Sequence, residues 1–159
     1  MPTLPQLLEE DIRFLDDSLR DLLARTDATT ALIIDQGGFL LASRGDDQQF
    51  DLTTIAALAS GAYLANQTIA NLVHETNFNS VYQEGEKSSM FVLSVDEHCL
   101  LVIIFKAQVS VGLIKYYAAP AAEQIAAQMR VAQARDPAAG LDLSELNLAN
   151  TGALFKRKD

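Results

Sequence analysis

The chain has 159 residues, 49% hydrophobic and 21% charged, with a net charge of −9 and a pI near 4.6. Such a chain suits one domain that buries its own core, and the composition excludes wholesale disorder. The acidity excludes the two partners that need a Lys/Arg footprint, nucleic acid and an anionic membrane surface; the basic cluster Lys156-Arg157-Lys158 lies at the very end and reads as a solvated tail.

The single cysteine, Cys99, sits in an apolar run and reads as a small buried hydrophobe rather than half of a staple. No segment reaches the ~18 apolar residues of a membrane span, so no membrane insertion is expected. Met1 to Asp11 turns acidic at once and lacks a basic region followed by an apolar one. A cytoplasmic location is therefore expected.

In chain order, the first element is a helix over Leu4–Arg25. Leu4, Leu8, Ile12, Leu15, Leu19 and Leu22 recur at spacings of three and four. Pro2 and Pro5 suit its first turn, and Glu9, Glu10, Asp11, Asp16 and Asp17 are expected to face water. Two strands, Thr29–Ile34 and Phe39–Ser43, flank Asp35-Gln36-Gly37-Gly38, which reads as a hairpin turn because glycine supplies positive φ. The Gly-Gly pair is not a phosphate loop, since neither GxxxxGK[ST] nor GxGxxG is present.

Asp51 is a strong N-cap for a helix over Leu52–Glu75. Ile55, Leu58, Ala62, Ala65, Ile69 and Leu72 form its main apolar stripe, and Ala57, Gly61, Leu64 and Thr68 a second, weaker one. Gly61 costs about 1 kcal/mol against alanine in a helix interior. A glycine kept there often marks the close approach of another backbone; an ordinary well-buried helix reads equally well from the residues alone.

Three strands follow, Ser80–Gln83, Ser88–Val95 and Cys99–Phe105, with turns at Gly85 and at Asp96-Glu97. Leu100–Phe105 is apolar without alternation, which predicts a mid-sheet strand covered on both faces. The last helix spans Ser110–Ala134, and Pro120 inside it should kink or split it. Asp136 to Gly140 reads as a linker, giving a domain over 1–135 and a linker and tail over 136–159.

Catalytic constellations are missing. His74 and His98 are isolated, His74-Glu75 lacks the HExxH spacing, and there is no GxSxG elbow. The carboxylates lie on polar helix faces rather than as a pair in an apolar pocket. No metal, no cofactor and no enzymatic turnover are expected. The element order gives an α/β (α+β) fold: one five-stranded antiparallel sheet, one long helix on one face and two helices on the other.

The ordered set of stretches resembles the roadblock/dynein light-chain family, and within it the bacterial MglB proteins. The carrying residues are Leu32-Ile33-Ile34-Asp35 with Gly38, Ser60-Gly61 in the helix capped by Asp51, Asn77-Phe78 with Tyr82-Gln83-Glu84-Gly85, and Leu101 to Phe105 with Val111-Gly112-Leu113-Ile114. The similarity covers most of residues 7–130. It implies a homodimer paired through the middle helix and the edge strand Ser80–Gln83, with Ser80 and Tyr82 at the contact, giving one continuous sheet. It also implies a platform for a small Ras-like GTPase of the MglA type, whose hydrolysis of GTP is stimulated without an inserted arginine, in a cell-polarity or similar regulatory system. The matching platform positions are Ala57, Gly61, Leu64 and Thr68, and Leu154-Phe155 resembles the tail with which some MglB proteins touch their GTPase. Two function classes fit: a GTPase-activating platform, or a structural dimer or scaffold with no effect on hydrolysis.

Overall fold

The computed structural model describes residues 4–46 and 48–135; the expected tail with Leu154 and Phe155 lies outside them. Eight elements follow in order: α1 (Glu9–Thr26), β1 (Thr30–Asp35), β2 (Leu40–Gly45), α2 (Leu52–Leu72), β3 (Ser80–Gln83), β4 (Ser88–Ser94), β5 (Cys99–Lys106) and α3 (Val111–Ala134). The strands form one antiparallel sheet in the order β2-β1-β5-β4-β3. The continuous apolar run thus takes the middle place predicted for it, and β3 lies at an edge.

Period-two alternation sorts the central strands into two cores. Ala31, Ile33, Leu101, Ile103 and Phe105 face α1 and α3, where Leu15, Leu19, Leu22, Ile114, Ile125 and Met129 meet them. Leu32, Ile34, Leu100 and Val102 face α2 on the other side. Burial on both faces explains why β1 and β5 read as unbroken apolar runs rather than alternating ones.

Three details differ from the sequence reading. First, α1 begins at Glu9 rather than Leu4. The Asp11 carboxylate accepts from the Leu8 backbone N–H at 2.7 Å and so fixes the first turn there. Second, Asp11 does not face water; it is fully buried. Its oxygens also accept from the Gln128 amide and from both terminal nitrogens of Arg135, at 2.7–3.0 Å, tying the start of α1 to the end of α3. The Arg135 guanidinium holds the Asp11 carboxyl well below the usual carboxylate range, against the opposing effect of burial. Third, Pro120 does not split α3, which runs unbroken through it. The ring sits on the exposed side, while Ala118, Ala121 and Ala122 around it are buried and keep the helix seated.

At the β2 edge, Arg44 binds Asp16 of α1 through two of its nitrogens, so that edge is held under α1. The β3 edge has no such cover among the described residues.

Replacing Asp11 with Asn removes the charge that ties the start of α1 to the end of α3. The expected loss is about 2 kcal/mol, read as a melting temperature several degrees lower. Because the folded pKa of Asp11 is depressed, its contribution is complete above the unfolded carboxylate range and fades as pH falls below about 4. The difference between wild type and Asp11→Asn should therefore shrink in acid; a constant difference from pH 7 to pH 3 refutes the assignment.

Candidate interaction surface

Helix α2 determines what the molecule shows to others. The Asp51 side chain caps it, accepting from the Thr54 backbone N–H at 3.2 Å and the Thr54 hydroxyl at 2.6 Å. These bonds, the hydroxyl's first, lower the Asp51 pKa. The helix then buries Leu52, Ala56, Ala59, Ser60, Tyr63 and Ala70. Three of its larger aliphatics point the other way: Leu58 is 68% exposed, Ile69 56% and Leu72 75%. The stripe expected to face the core is therefore mostly an outer face. The reason is volume. The sheet already offers Leu32, Ile34, Val92, Leu100 and Val102, so small side chains on α2 complete the layer and let the helix sit close. Tyr63 fills the remaining gap, its ring tilted against Phe78 with centroids 5.1 Å apart.

The second stripe, Ala57, Gly61, Leu64 and Thr68, is exposed as well. At about 100° per residue, the two stripes merge into one outward arc spanning roughly 160° of the helix. No residue from Leu52 to Leu72 is charged. A Cβ built on Gly61 would meet nothing within 4 Å, so among the described residues no backbone approaches it. The glycine leaves a shallow recess in an uncharged, apolar helix face, the composition typical of the centre of a protein interface.

The β1–β2 turn braces one flank of α2. Gly38 has φ of +93°, and a side chain there would stand 3.0 Å from the Ala57 Cα. The Ser60 hydroxyl donates to the Gln36 carbonyl at 2.6 Å. The Gly-Gly turn thus serves both the hairpin and its contact with the helix.

At the other flank lies β3, with one edge paired to β4 and the other unpaired. Ser80 and Tyr82 do not join the α2 face. Their cross-strand partners Leu93 and Phe91 belong to the core under α1 and α3, and Tyr82 stacks on Phe105 at 6.3 Å. What β3 offers beside α2 is its free backbone edge. The sequence reading missed the outward turn of Leu58, Ile69 and Leu72; the run of small residues at Ala56, Ala59 and Ser60 is the signal that could have found it. It also passed over Phe39, 72% exposed next to the Gly-Gly turn.

Neither Cys99 nor His98 is presented at this surface. Cys99 is fully buried, and desolvation, reinforced by Asp96 and Asp35, pushes its thiol up to about 12. His98 is buried at the β4–β5 turn, where the Asp96 carboxylate accepts from the His98 and Cys99 backbone N–H groups, both at 2.8 Å. Among the described residues no three His, Cys, Asp or Glu side chains converge as metal ligands, and no helix is long and apolar enough to cross a membrane.

The comparisons with known proteins agree with this architecture. The model of the Roadblock/LC7 domain matches residues 15–105, more than half of the chain. The chain is similar to Myxococcus xanthus MglB at 26% identity, covering 80% of this chain and 96% of that one, with a TM-score of 0.74. It is similar to the gliding protein MglB of Thermus thermophilus at 28% identity, with coverages of 82% and 98% and a TM-score of 0.74. A structure described as MglB with tetrameric arrangement matches at 30% identity, 83% and 98% coverage and a TM-score of 0.74. No curated protein sequence matches significantly. The chain belongs to the Roadblock/LC7 family, as an MglB-like member of it.

Proposed function

We propose that this protein is a homodimeric platform that binds a Ras-like GTPase of the MglA type and stimulates its hydrolysis of GTP. The observation that carries the reading is the uncharged apolar arc of α2 lying beside the unpaired β3 edge. Pairing two β3 edges continues the sheet across a two-fold axis and satisfies backbone groups that an isolated edge leaves open. Pairing of the α2 helices in the same step covers Leu58 and Ile69. Ser80 and Tyr82 then meet their counterparts on the opposite side of the joined sheet.

The chemistry of activation is also constrained. With no arginine or lysine on α2, the platform has no cation there to insert beside a transferring phosphoryl group. In this reading, as the resemblance implies, stimulation comes from holding the GTPase's own catalytic groups in place, an effect of positioning. The protein alone turns over no GTP in this reading. The expected tail, with Leu154 and Phe155, adds an apolar anchor on a short segment.

Light scattering at micromolar concentration should give a dimer mass for the wild type. Ile69→Arg should give a monomer of unchanged helical content, because pairing would bury an unpaired charge; a wild-type monomer throughout sinks the dimer.

GTP hydrolysis by an MglA-type GTPase should rise by about tenfold or more on adding the wild-type dimer, since positioning effects reach that size. Gly61→Arg should abolish the rise without unfolding, as the space beside Gly61 is open. An unchanged rate with the wild type assigns the structural scaffold instead.

Truncation after Ala139 should keep the melting temperature and weaken GTPase binding. A fall of several degrees with unchanged affinity would make the tail part of the core.

A further inference from the structure

We propose that the groove between α1 and α3 binds a proline-rich segment of a partner protein, held as a polyproline II helix. The groove lies on the face of the sheet opposite α2 and shares no residue with the α2 arc or with β3. The inference therefore stands apart from the GTPase reading.

The groove has a volume of about 450 Å³. Asp21 and Arg25 line it from α1, and Tyr116, Tyr117, Pro120 and Gln124 line it from α3. The buried Leu22 and Ala121 complete the lining. Tyr116 is 71% exposed. Its ring meets that of Tyr117 edge to face, with planes at 89° and centroids 5.0 Å apart, so the pair forms an aromatic notch. Tyr117 is held in addition by Arg25, whose guanidinium stands 5.9 Å from the ring centroid. Arg25 is fixed in turn, because its Nε donates to both Asp21 carboxylate oxygens, at 3.0 and 3.1 Å. The notch is thus set before any ligand arrives, which lowers the entropy lost on binding.

Three properties of the groove select its occupant. The first is charge. Asp21 and Arg25 pair with each other, so the lining carries no net charge and favours a neutral ligand. The second is the mixture of groups. Aromatic faces stand beside phenol and amide donors, the Tyr hydroxyls and Gln124. A polyproline II segment matches that mixture, since it shows apolar pyrrolidine rings together with carbonyls that have no internal partner. A helical ligand has its carbonyls already paired and leaves those donors unmet. The third is length. Tyr117 and Gln124 lie two turns apart on α3, about 10 Å along the axis. One full turn of polyproline II is three residues and rises about 9 Å. Prolines at the first and fourth positions of the ligand thus reach the two ends of the groove, one in the tyrosine notch and one beside Gln124.

The test titrates the full chain with a synthetic decaproline peptide by calorimetry and follows tyrosine fluorescence in parallel. The chain has no tryptophan, so the emission reports its tyrosines. The expected result is saturable binding with a change in emission, and neither with a Gly-Ser peptide of the same length. Tyr116→Ala should weaken Kd by about tenfold or more, while Tyr116→Phe, which keeps the ring, should retain most of the affinity. Gln124→Ala, at the other end of the groove, should weaken binding as well. All three side chains are replaced at exposed positions, so the melting temperature should stay at the wild-type value. A wild type that shows no saturable binding overturns the proposal. So does equal binding of the Gly-Ser peptide, or a Kd unchanged by Tyr116→Ala, which places the peptide elsewhere on the molecule.

Discussion

Everything outward-facing in this molecule follows from how little room the sheet leaves for α2. The two central strands point large aliphatic side chains to both faces, so the layer beneath α2 is already nearly full. Alanines at positions 56 and 59 and the serine at position 60 are what fit. With that side of the helix spent on the core, Leu58, Ile69 and Leu72 are left facing out. The exposed face is thus the remainder of a packing solution, and its size is set by the core.

On the opposite face the constraint is different. Two helices share that side, and each must be held in register with the other as well as with the sheet. Leucines of α1 and alanines of α3 supply the apolar contact. The buried Asp11 supplies direction, because a carboxylate that accepts from Leu8, Gln128 and Arg135 at once is satisfied in only one arrangement of the two helix ends. The Asp16–Arg44 pair does similar work between α1 and the β2 edge. Among the described residues the β3 side has no comparable clamp, and that asymmetry separates a closed edge from an open one.

Much of this was legible in the sequence. The unbroken run Leu100–Phe105 located the middle strand, since only burial on both faces removes alternation, and the Gly-Gly turn and Asp51 marked the hairpin and the helix start. Two features were not legible. Asp11 lies among acidic neighbours on a helix that looks solvated, and its partner Arg135 is remote in the chain, so no local pattern reveals the pairing. For α2 the periodicity was plain but its orientation was not. An apolar stripe shows that a surface avoids water, and it does not say whether the cover comes from the same chain or from another. Size alone assigns the large residues to the core, whereas the buried side of α2 is mostly small, with Leu52 and Tyr63 the exceptions. The order Gly37-Gly38-Phe39 reads only as a turn, because the close approach of Gly38 to Ala57 depends on where α2 packs.

The uncharged stretch Leu52–Leu72 has a consequence for how copies of this chain meet. The chain as a whole carries a charge of −9, yet this helix contributes none of it. In the dimer proposed above, two such molecules would repel at a distance, while the α2 helices would bring no charge of their own into the seam. Added electrolyte therefore screens the repulsion and leaves the contact intact. Encounter through this face speeds up as ionic strength rises, opposite in sign to the charge-steered complexes in which salt slows approach.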